Sequence, residues 1–184
     1  MPNLATHRIP LVAHPTTQSG AIEGLDVLLS VLSPGVLTLG YTLRADMSRI
    51  RVGPEGVPGS ADDLWKHTCF EVFIQPSGSR GYYEFNFSPT KQWAVYRFDS
   101  YRQGMTPMDT SNPPEISIRK ASDFLELLAT ISLPVSAGID APQRPRLALT
   151  AVVEEDSGRL CYWSARHSQG KPDFHHPDGF VFEL

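Results

Sequence analysis

Five residues between positions 71 and 97 have side chains of the kinds that bind small ligands. They are Glu71, Glu84, Asn86, Trp93 and Arg97. Carboxylate, amide and guanidinium groups hydrogen-bond to hydroxyl groups, and an indole ring stacks on the flat face of a sugar or an aromatic ligand. Two carboxyl groups could also divide the acid and base roles of an enzyme, provided that burial separates their pKa values.

Three short segments carry these residues, and each alternates in polarity. They are CFEVFIQ at 69–75, YYEFNFS at 82–88 and WAVYRFDS at 93–100. Alternation with a period of two residues predicts β-strands, and the turn sequences PSGSRG and PTKQ predict two hairpins between them. The first hairpin sets Glu71 opposite Asn86. The second sets Glu84 opposite Arg97.

This register sorts the side chains of the three strands between two faces. All five polar and aromatic residues fall on one face, which we call the ligand face. The opposite face is apolar and is expected to form the core; its members are Phe70, Val72, Ile74, Tyr83, Phe85, Phe87, Tyr96 and Phe98. Residues from neighbouring segments are expected at the rim of the ligand face: Trp65, Lys66, His67, Arg102 and His175.

A purely structural role explains part of the ligand face equally well. Glu84 and Arg97 would then form a cross-strand ion pair, which is a common stabilising contact in sheets. Trp93 would cover the edge of the sheet. This interpretation and the ligand-binding interpretation both stay open at the level of sequence.

The segment RHSQGKPDFHHPDG offers a second kind of chemistry. It places His167, Asp173, His175 and His176 within ten residues, and imidazole and carboxylate groups are ligands for transition metals. The spacing matches no specific zinc pattern. A metal site in this segment is therefore an alternative hypothesis.

The chain as a whole has the pattern of an all-β protein. Its 14 glycines and 16 prolines separate short alternating runs. About ten strands are predicted in a single domain over residues 1–184, which favours an antiparallel β-sandwich with little helix. The ten segments are 24–32, 36–45, 69–75, 82–88, 93–100, 115–120, 124–133, 146–155, 160–165 and 179–184. The connections include long loops at 53–60 and 103–114 and a helical turn at 61–66, with Ser60 as its expected cap.

Composition excludes several classes of function. The net charge of −4 gives no basic surplus for binding nucleic acid, and no apolar run is long enough to span a bilayer. The first twenty residues lack the pattern of an export signal, so we expect a cytoplasmic protein. Cys69 and Cys161 are the two cysteines, and we expect both to be reduced.

The segments LWKHTCFEVFI and YYEFNFSPTKQWAVYRFDSYRQGM resemble the bacterial DOMON-like family, which is similar to family 9 carbohydrate-binding modules. The resemblance is specific over residues 64–104, and the later KPDFHH also fits. It implies a β-sandwich of jelly-roll type that binds a carbohydrate-like small ligand on one sheet and has no inherent catalytic activity. The positions that match the motif are Glu71, Tyr83, Glu84, Asn86, Pro89, Trp93 and Arg97.

The resemblance leaves the cofactor and the ligand unknown. Calcium-site residues of the carbohydrate-binding modules do not map onto this chain. DOMON domains that bind haem need an axial pair of ligands, for which Met47, Met105 and Met108 are candidates by residue type alone. An enzyme that uses the Glu and Arg cluster, a haem-binding domain and a protein-interaction domain are the alternatives to a sugar-binding module.

Overall fold

The computed structural model describes residues 6–53, 56–133 and 144–184. Strands dominate the described part of the chain, and its helices are single 3₁₀ turns at Pro15–Thr17, Met47–Arg49, Leu64–Lys66 and Pro177–Gly179. The strands are β1 (Thr6–Ala13), β2 (Ile22–Ser33), β3 (Val36–Ala45), β4 (Ile50–Arg51), β5 (Gly59–Ser60), β6 (Cys69–Gln75), β7 (Tyr82–Phe87), β8 (Gln92–Phe98), β9 (Thr106–Pro107), β10 (Glu115–Lys120), β11 (Phe124–Ser132), β12 (Arg146–Glu155), β13 (Leu160–Ser164) and β14 (Phe182–Glu183).

The all-β prediction is confirmed, but the expected number of ten strands is too low. The structure has fourteen, and the four that the sequence did not indicate are β1, β4, β5 and β9. Three of these four contain only two residues, which is too short for a period to be visible. The fourth, β1, contains Pro10, a residue that argues against an interior strand.

All fourteen strands join one curled sheet. Its main path runs β10-β11-β3-β2-β1-β13-β12-β6-β7-β8-β5, while β4 and β14 extend the pairing of β12 and β9 pairs with β8. Neighbours are antiparallel except for β5 and β8, which are parallel, so the predicted purely antiparallel sheet becomes a mixed one. Strand β1 joins the two halves of the sheet, because Thr6–Leu11 pairs with β2 and the next two residues pair with β13.

The two halves of the sheet share one large hydrophobic core. Apolar side chains of β2, β3 and β11 meet those of β6, β7 and β12 in a single cluster. Tyr41 on β3 illustrates the contact: its hydroxyl donates a 2.7 Å hydrogen bond to the carbonyl oxygen of Glu71 on β6, and its ring centroid lies 5.1 Å from that of Phe70. The core therefore lies on the inner side of the curl.

A second, smaller cluster covers the other face of β6, β7, β8 and β12. Its members are Leu64, Cys69, Phe73, Tyr82, Ala94, Tyr96, Phe98, Ala148 and Phe180. Strands β6, β7 and β12 are consequently buried on both faces, whereas β3 and β11 alternate between buried and more exposed residues. Any polar side chain on the outer face of β6 or β7 is thus held close to apolar groups.

The two hairpins around β7 decide which residues share that outer face. The first has the predicted register, with Glu71 opposite Asn86 and Phe73 opposite Glu84. The second differs by one residue, because Phe87 rather than Ser88 lies opposite Trp93. A shift of one residue turns every side chain of a strand to the other face.

The cause of the shift is the conformation of the second turn. The Ser88 amide donates to the Gln92 carbonyl at 2.8 Å, which leaves a loop of three residues between them. Lys91, the last residue of this loop, has a φ of 64°, as in three-residue hairpin loops that end in a left-handed residue. The shift brings Tyr96 and Phe98 to the outer face, so their predicted place in the main core is wrong.

The helical turn predicted at 61–66 is shorter than expected and has a different cap. It comprises Leu64–Lys66, and Asp63 with a φ of 62° occupies the position before it without a capping hydrogen bond from its side chain. Ser60, the expected cap, lies instead in β5 and pairs with Trp93.

The turn between β7 and β8 gives a prediction about stability. Lys91→Gly is expected to raise the free energy of unfolding by about 0.5–1 kcal/mol, because a left-handed conformation costs a lysine energy that glycine avoids. Urea unfolding measures the change. The matched control is Lys120→Gly in β10, which has no positive φ and is expected to destabilise the protein; equal effects at both sites would contradict the proposed turn.

The two thiols provide a second test. Cys69 pairs with Val152 and Cys161 with Val153, and adjacent residues of β12 point to opposite faces of the sheet. Both cysteines are free and buried. We expect Ellman's reagent to detect two thiols after denaturation without reductant and far fewer in the folded protein. A reading of zero after denaturation would contradict the expected reduced state.

Candidate functional site

A cavity of about 340 Å³ opens on the outer face of the sheet, beside the smaller hydrophobic cluster. Its lining is aromatic and acidic: Trp65, Glu71, Glu84, Phe98, Arg102, Met105, Val152, Tyr162, Pro172, Phe174 and His175. Strands β6, β7, β8, β12 and β13 supply five of these residues, the helical turn before β6 supplies Trp65, and two loops supply the rest. We call this space the acidic cavity.

Two buried carboxyl groups belong to the wall that the sheet contributes. Glu71 is 2% exposed and Glu84 is 4% exposed. The Thr150 hydroxyl donates to Oε2 of Glu71 at 3.2 Å, and Nδ2 of Asn86 donates to Oε1 of Glu84 at 2.8 Å. Among the described residues, Oε1 of Glu71 and Oδ1 of Asn86 are buried without a hydrogen-bond partner. A buried acceptor without a partner is costly unless a ligand or water satisfies it.

Burial strongly affects the protonation of both carboxyl groups. Loss of solvation raises the pKa of Glu84 to about 7, against the opposing effects of the Asn86 hydrogen bond and the Arg102 charge. Loss of solvation and the charge of Glu84 hold the pKa of Glu71 well above its usual range. Burial therefore favours the protonated form of both carboxyl groups, and Glu84 titrates near neutral pH.

His175 forms one wall of the cavity and is held in place by Tyr82. The Tyr82 hydroxyl accepts from the Arg102 amide at 3.1 Å and lies 2.8 Å from Nδ1 of His175. Since the phenol can donate its own proton to Nδ1, the ring proton of His175 belongs on Nε2, which lies 3.9 Å from Oε2 of Glu84. Burial lowers the pKa of His175 to about 4, so the ring is neutral at pH 7.

Asp173 organises the rim of the acidic cavity. Its carboxylate accepts from the Arg102 guanidinium at 2.7 Å, from the Tyr101 hydroxyl at 2.5 Å and from the His175 amide at 3.2 Å. Arg102 has a left-handed backbone with a φ of 54°; its amide donates to the Tyr82 hydroxyl and its guanidinium to Asp173. Asp173 thus joins the segment after β8 to the segment before the C-terminal strand.

Half of the sequence-predicted site residues line the cavity. These are Glu71, Glu84, Trp65, Arg102 and His175. Asn86 is fully buried and contacts the cavity only through its hydrogen bond to Glu84.

Trp93 and Arg97 do not share the predicted face, because the register of the second hairpin differs by one residue. Trp93 packs against the main core, and Arg97 forms an exposed ion pair with Asp99 at 2.6 Å. The ion pair between Arg97 and Glu84, which the structural interpretation of this face required, does not form between these two described residues.

Lys66 and His67 were predicted at the rim, but their side chains pair with acidic residues away from the cavity. Lys66 pairs with Asp63 at 2.5 Å on the surface. Nδ1 of His67 lies 2.7 Å from Glu154, whose other oxygen accepts from Arg51. Neither residue lines the acidic cavity.

Sequence reasoning missed six residues of the lining: Phe98, Met105, Val152, Tyr162, Pro172 and Phe174. Phe98 was assigned to the core only because of the register error. Tyr162 and Val152 lie on strands that the alternation predicted, but nothing in the sequence pairs those strands with β6. Phe174 stands beside His175 in KPDFHH and could have been included on that ground.

The histidine-rich segment does not come together as a metal site. Nε2 of His167 lies 2.8 Å from the Val12 carbonyl oxygen, and His176 lies 3.6 Å from Asp178. His175 is in the acidic cavity instead. Across residues 6–53, 56–133 and 144–184, no group of three or more His, Cys, Asp or Glu side chains is placed to hold a metal ion.

The methionines considered as haem ligands do not fit a shared axial role. Met47 is buried in the main core, and Met108 packs against the same core. Met105 alone lines the acidic cavity.

Comparisons with known proteins show the fold alone. No family model matches the chain, and no curated protein matches it. A solved structure from Bacteroides uniformis, described as a "putative carbohydrate-binding protein", is similar to this chain with a TM-score of 0.62 and 15% sequence identity. The similarity covers 95% of this chain and 84% of that one. Within the described ranges, no helix is long and apolar enough to cross a membrane.

The raised pKa of Glu84 gives a pH-dependent prediction. The folded protein binds this proton more tightly than the unfolded chain does, so the wild type loses stability as the pH rises from 4.5 to about 7. The E84Q variant lacks this loss, and its stability relative to the wild type should grow by about 3 kcal/mol over that range.

Urea unfolding at several pH values measures the difference. The opposite titration of His175 cancels, because both proteins contain that residue. Glu126→Gln is the matched control, since Glu126 is an exposed partner of Arg119. A constant difference between E84Q and the wild type at all pH values would contradict the raised pKa.

Proposed function

We propose that the protein is a non-catalytic binding module for a small hydroxylated ligand of the carbohydrate type. The observation that carries the proposal is Glu71: its side chain belongs to the lining of the acidic cavity, and its buried Oε1 has no hydrogen-bond partner among the described residues. A ligand hydroxyl is a donor that would satisfy it. In proteins, buried polar atoms without partners are rare and often mark a ligand or ordered water.

The size and walls of the cavity support a sugar-sized ligand. A volume of about 340 Å³ lies at the lower end of the range for small-molecule sites. Trp65, Tyr162 and Phe174 offer aromatic surface on which a pyranose ring can pack. Arg102 at the rim adds hydrogen-bond donors, and the carboxyl groups add acceptors.

The proposal extends to the family and the detailed fold of the domain. We infer a DOMON-like domain of jelly-roll sandwich type, supported by the motif over residues 64–104 and by the curled all-β sheet. The likeness to the Bacteroides uniformis protein supports a carbohydrate-binding role by analogy of fold.

Glycoside hydrolysis is the second candidate, and one observation favours it. Glu71 and Glu84 lie on adjacent strands, and burial raises the pKa of both, with the charge of Glu84 adding to the rise at Glu71. A protonated carboxyl group beside an ionised one is the arrangement that such enzymes use. Release of nitrophenol from nitrophenyl glycosides by the wild type, but not by E84Q, would favour this candidate over simple binding.

Calorimetric titration with glucose, galactose, mannose, xylose and glucosamine tests the binding proposal. We expect at least one of these sugars to bind, and Trp65→Ala to weaken that binding at least about tenfold, because a stacking ring is lost.

Trp93→Ala is the matched control, since Trp93 lies on the opposite face of the sheet and is also partly buried. Arg97→Ala provides a second control at an exposed position. We expect both variants to bind as the wild type does when the measurements are made below their melting temperatures. Equal losses in Trp65→Ala and Trp93→Ala would contradict the assignment of the acidic cavity as the site.

A further inference from the structure

The acidic cavity is lined by more acidic than basic side chains. Glu71 and Glu84 line it without a cationic partner within hydrogen-bond distance. Arg102 is the one cationic side chain of the lining, and its guanidinium is already paired with Asp173. The buried carboxyl group of Glu154 is different, because Arg51 donates to it at 2.7 Å.

The remaining titratable groups around the two glutamates do not supply a positive charge. From the strands and loops packed against them, these groups are Tyr41, Cys69, Tyr82, Tyr96, Tyr162 and His175. Burial raises the pKa of each phenol and of the thiol and lowers the pKa of His175, so all six are neutral near pH 7.

The walls of the cavity distinguish an organic cation from a metal ion. Trp65, Tyr162 and Phe174 belong to the lining of the same cavity as the two carboxyl groups. Aromatic faces attract ammonium groups, particularly in sites from which water is excluded. Calcium, by contrast, takes six to eight oxygen ligands, and no group of three or more candidate metal-binding side chains occurs in the described ranges.

We propose that the ligand of the acidic cavity is a protonated amine on a sugar-sized, hydroxylated molecule, of which an amino sugar is the simplest example. The inference rests on the proposed function of this cavity as a small-ligand site. The ammonium group has three donors and no acceptor, and the carboxyl groups of Glu71 and Glu84 supply the acceptors that match it. The ring of the ligand packs on the aromatic walls.

Binding of an amine should release a proton from the protein. Before binding, Glu84 carries a proton for part of the time near neutral pH; when the ammonium group arrives, it pairs with the ionised carboxylate and the proton leaves to solvent. A neutral sugar forms hydrogen bonds with either protonation state and should release little. Proton release therefore separates the two ligand classes independently of affinity.

Calorimetric titration with glucosamine, glucose and N-acetylglucosamine at about pH 6.5 tests the inference, since Glu84 is then largely protonated. Each titration is run in phosphate and in HEPES, whose heats of ionisation differ. We expect glucosamine to bind at least about tenfold more tightly than the two neutral sugars. Its heat of binding should change with the buffer, whereas the heats of the neutral sugars should not.

Glu71→Gln and Glu84→Gln are the diagnostic variants, because glutamine keeps hydrogen-bonding capacity and size but removes the acidic group. We expect each to weaken glucosamine binding about tenfold while glucose binding changes little, and we expect Glu84→Gln also to abolish the dependence on buffer. Glu126→Gln is the matched control on the surface. Far-ultraviolet circular dichroism and thermal unfolding verify that each variant is folded.

The outcomes separate this inference from the proposed function. Equal binding of glucose and glucosamine without proton release would contradict the proposed amine ligand and leave the sugar-binding proposal intact. Displacement of glucosamine by calcium chloride at constant ionic strength, with calcium binding lost in Glu71→Gln, would show that the site binds a metal ion rather than an amine. Absence of binding by every sugar would overturn both proposals.

Discussion

Burial of β6, β7 and β12 on both faces is the constraint on which the rest of the structure depends. The inner face of these strands packs into the main core, and the outer face is covered by the smaller cluster that includes Phe73, Tyr82 and Phe180. Because of this cover, Glu71 and Glu84 lie close to apolar groups rather than in open solvent, and their pKa values rise. A carboxyl group in such a place costs stability. Natural proteins therefore usually keep one there because binding or catalysis uses it.

The outer cover depends on segments distant in sequence from the three central strands. Phe174 and His175 approach from the C-terminal segment, and Trp65 from the short helical turn before β6. Asp173 holds this arrangement together through its contacts with Tyr101, Arg102 and the His175 amide. The acidic cavity is thus the space left where these segments meet the sheet. Its polar groups are fixed by backbone contacts and hydrogen bonds before any ligand arrives, which reduces the entropy cost of binding.

The first hairpin could be predicted because its turn and its alternating pattern agree. Glu71, Glu84 and Asn86 share one face in the structure, as the sequence indicated. The second hairpin could not be predicted in the same way, because a loop of three residues and a loop of four residues are both compatible with SPTKQ. The left-handed backbone of Lys91 selects the shorter loop, and glycine, the residue that normally signals this conformation, is absent there. This difference of one residue in register places Tyr96 and Phe98 on the outer face, where the sequence had placed Trp93 and Arg97.

By itself, the sequence determined the all-β class, most of the longer strands and the common face of Glu71, Glu84 and Asn86. These features depend on local alternation and turn residues, which a single sequence displays directly. Only the tertiary structure decided that β12 and β13 lie beside β6, that Tyr162 and Phe174 complete the walls, and that His175 approaches Glu84. Such contacts join residues far apart in the chain, and they are selected by how whole faces pack together, which no local pattern encodes.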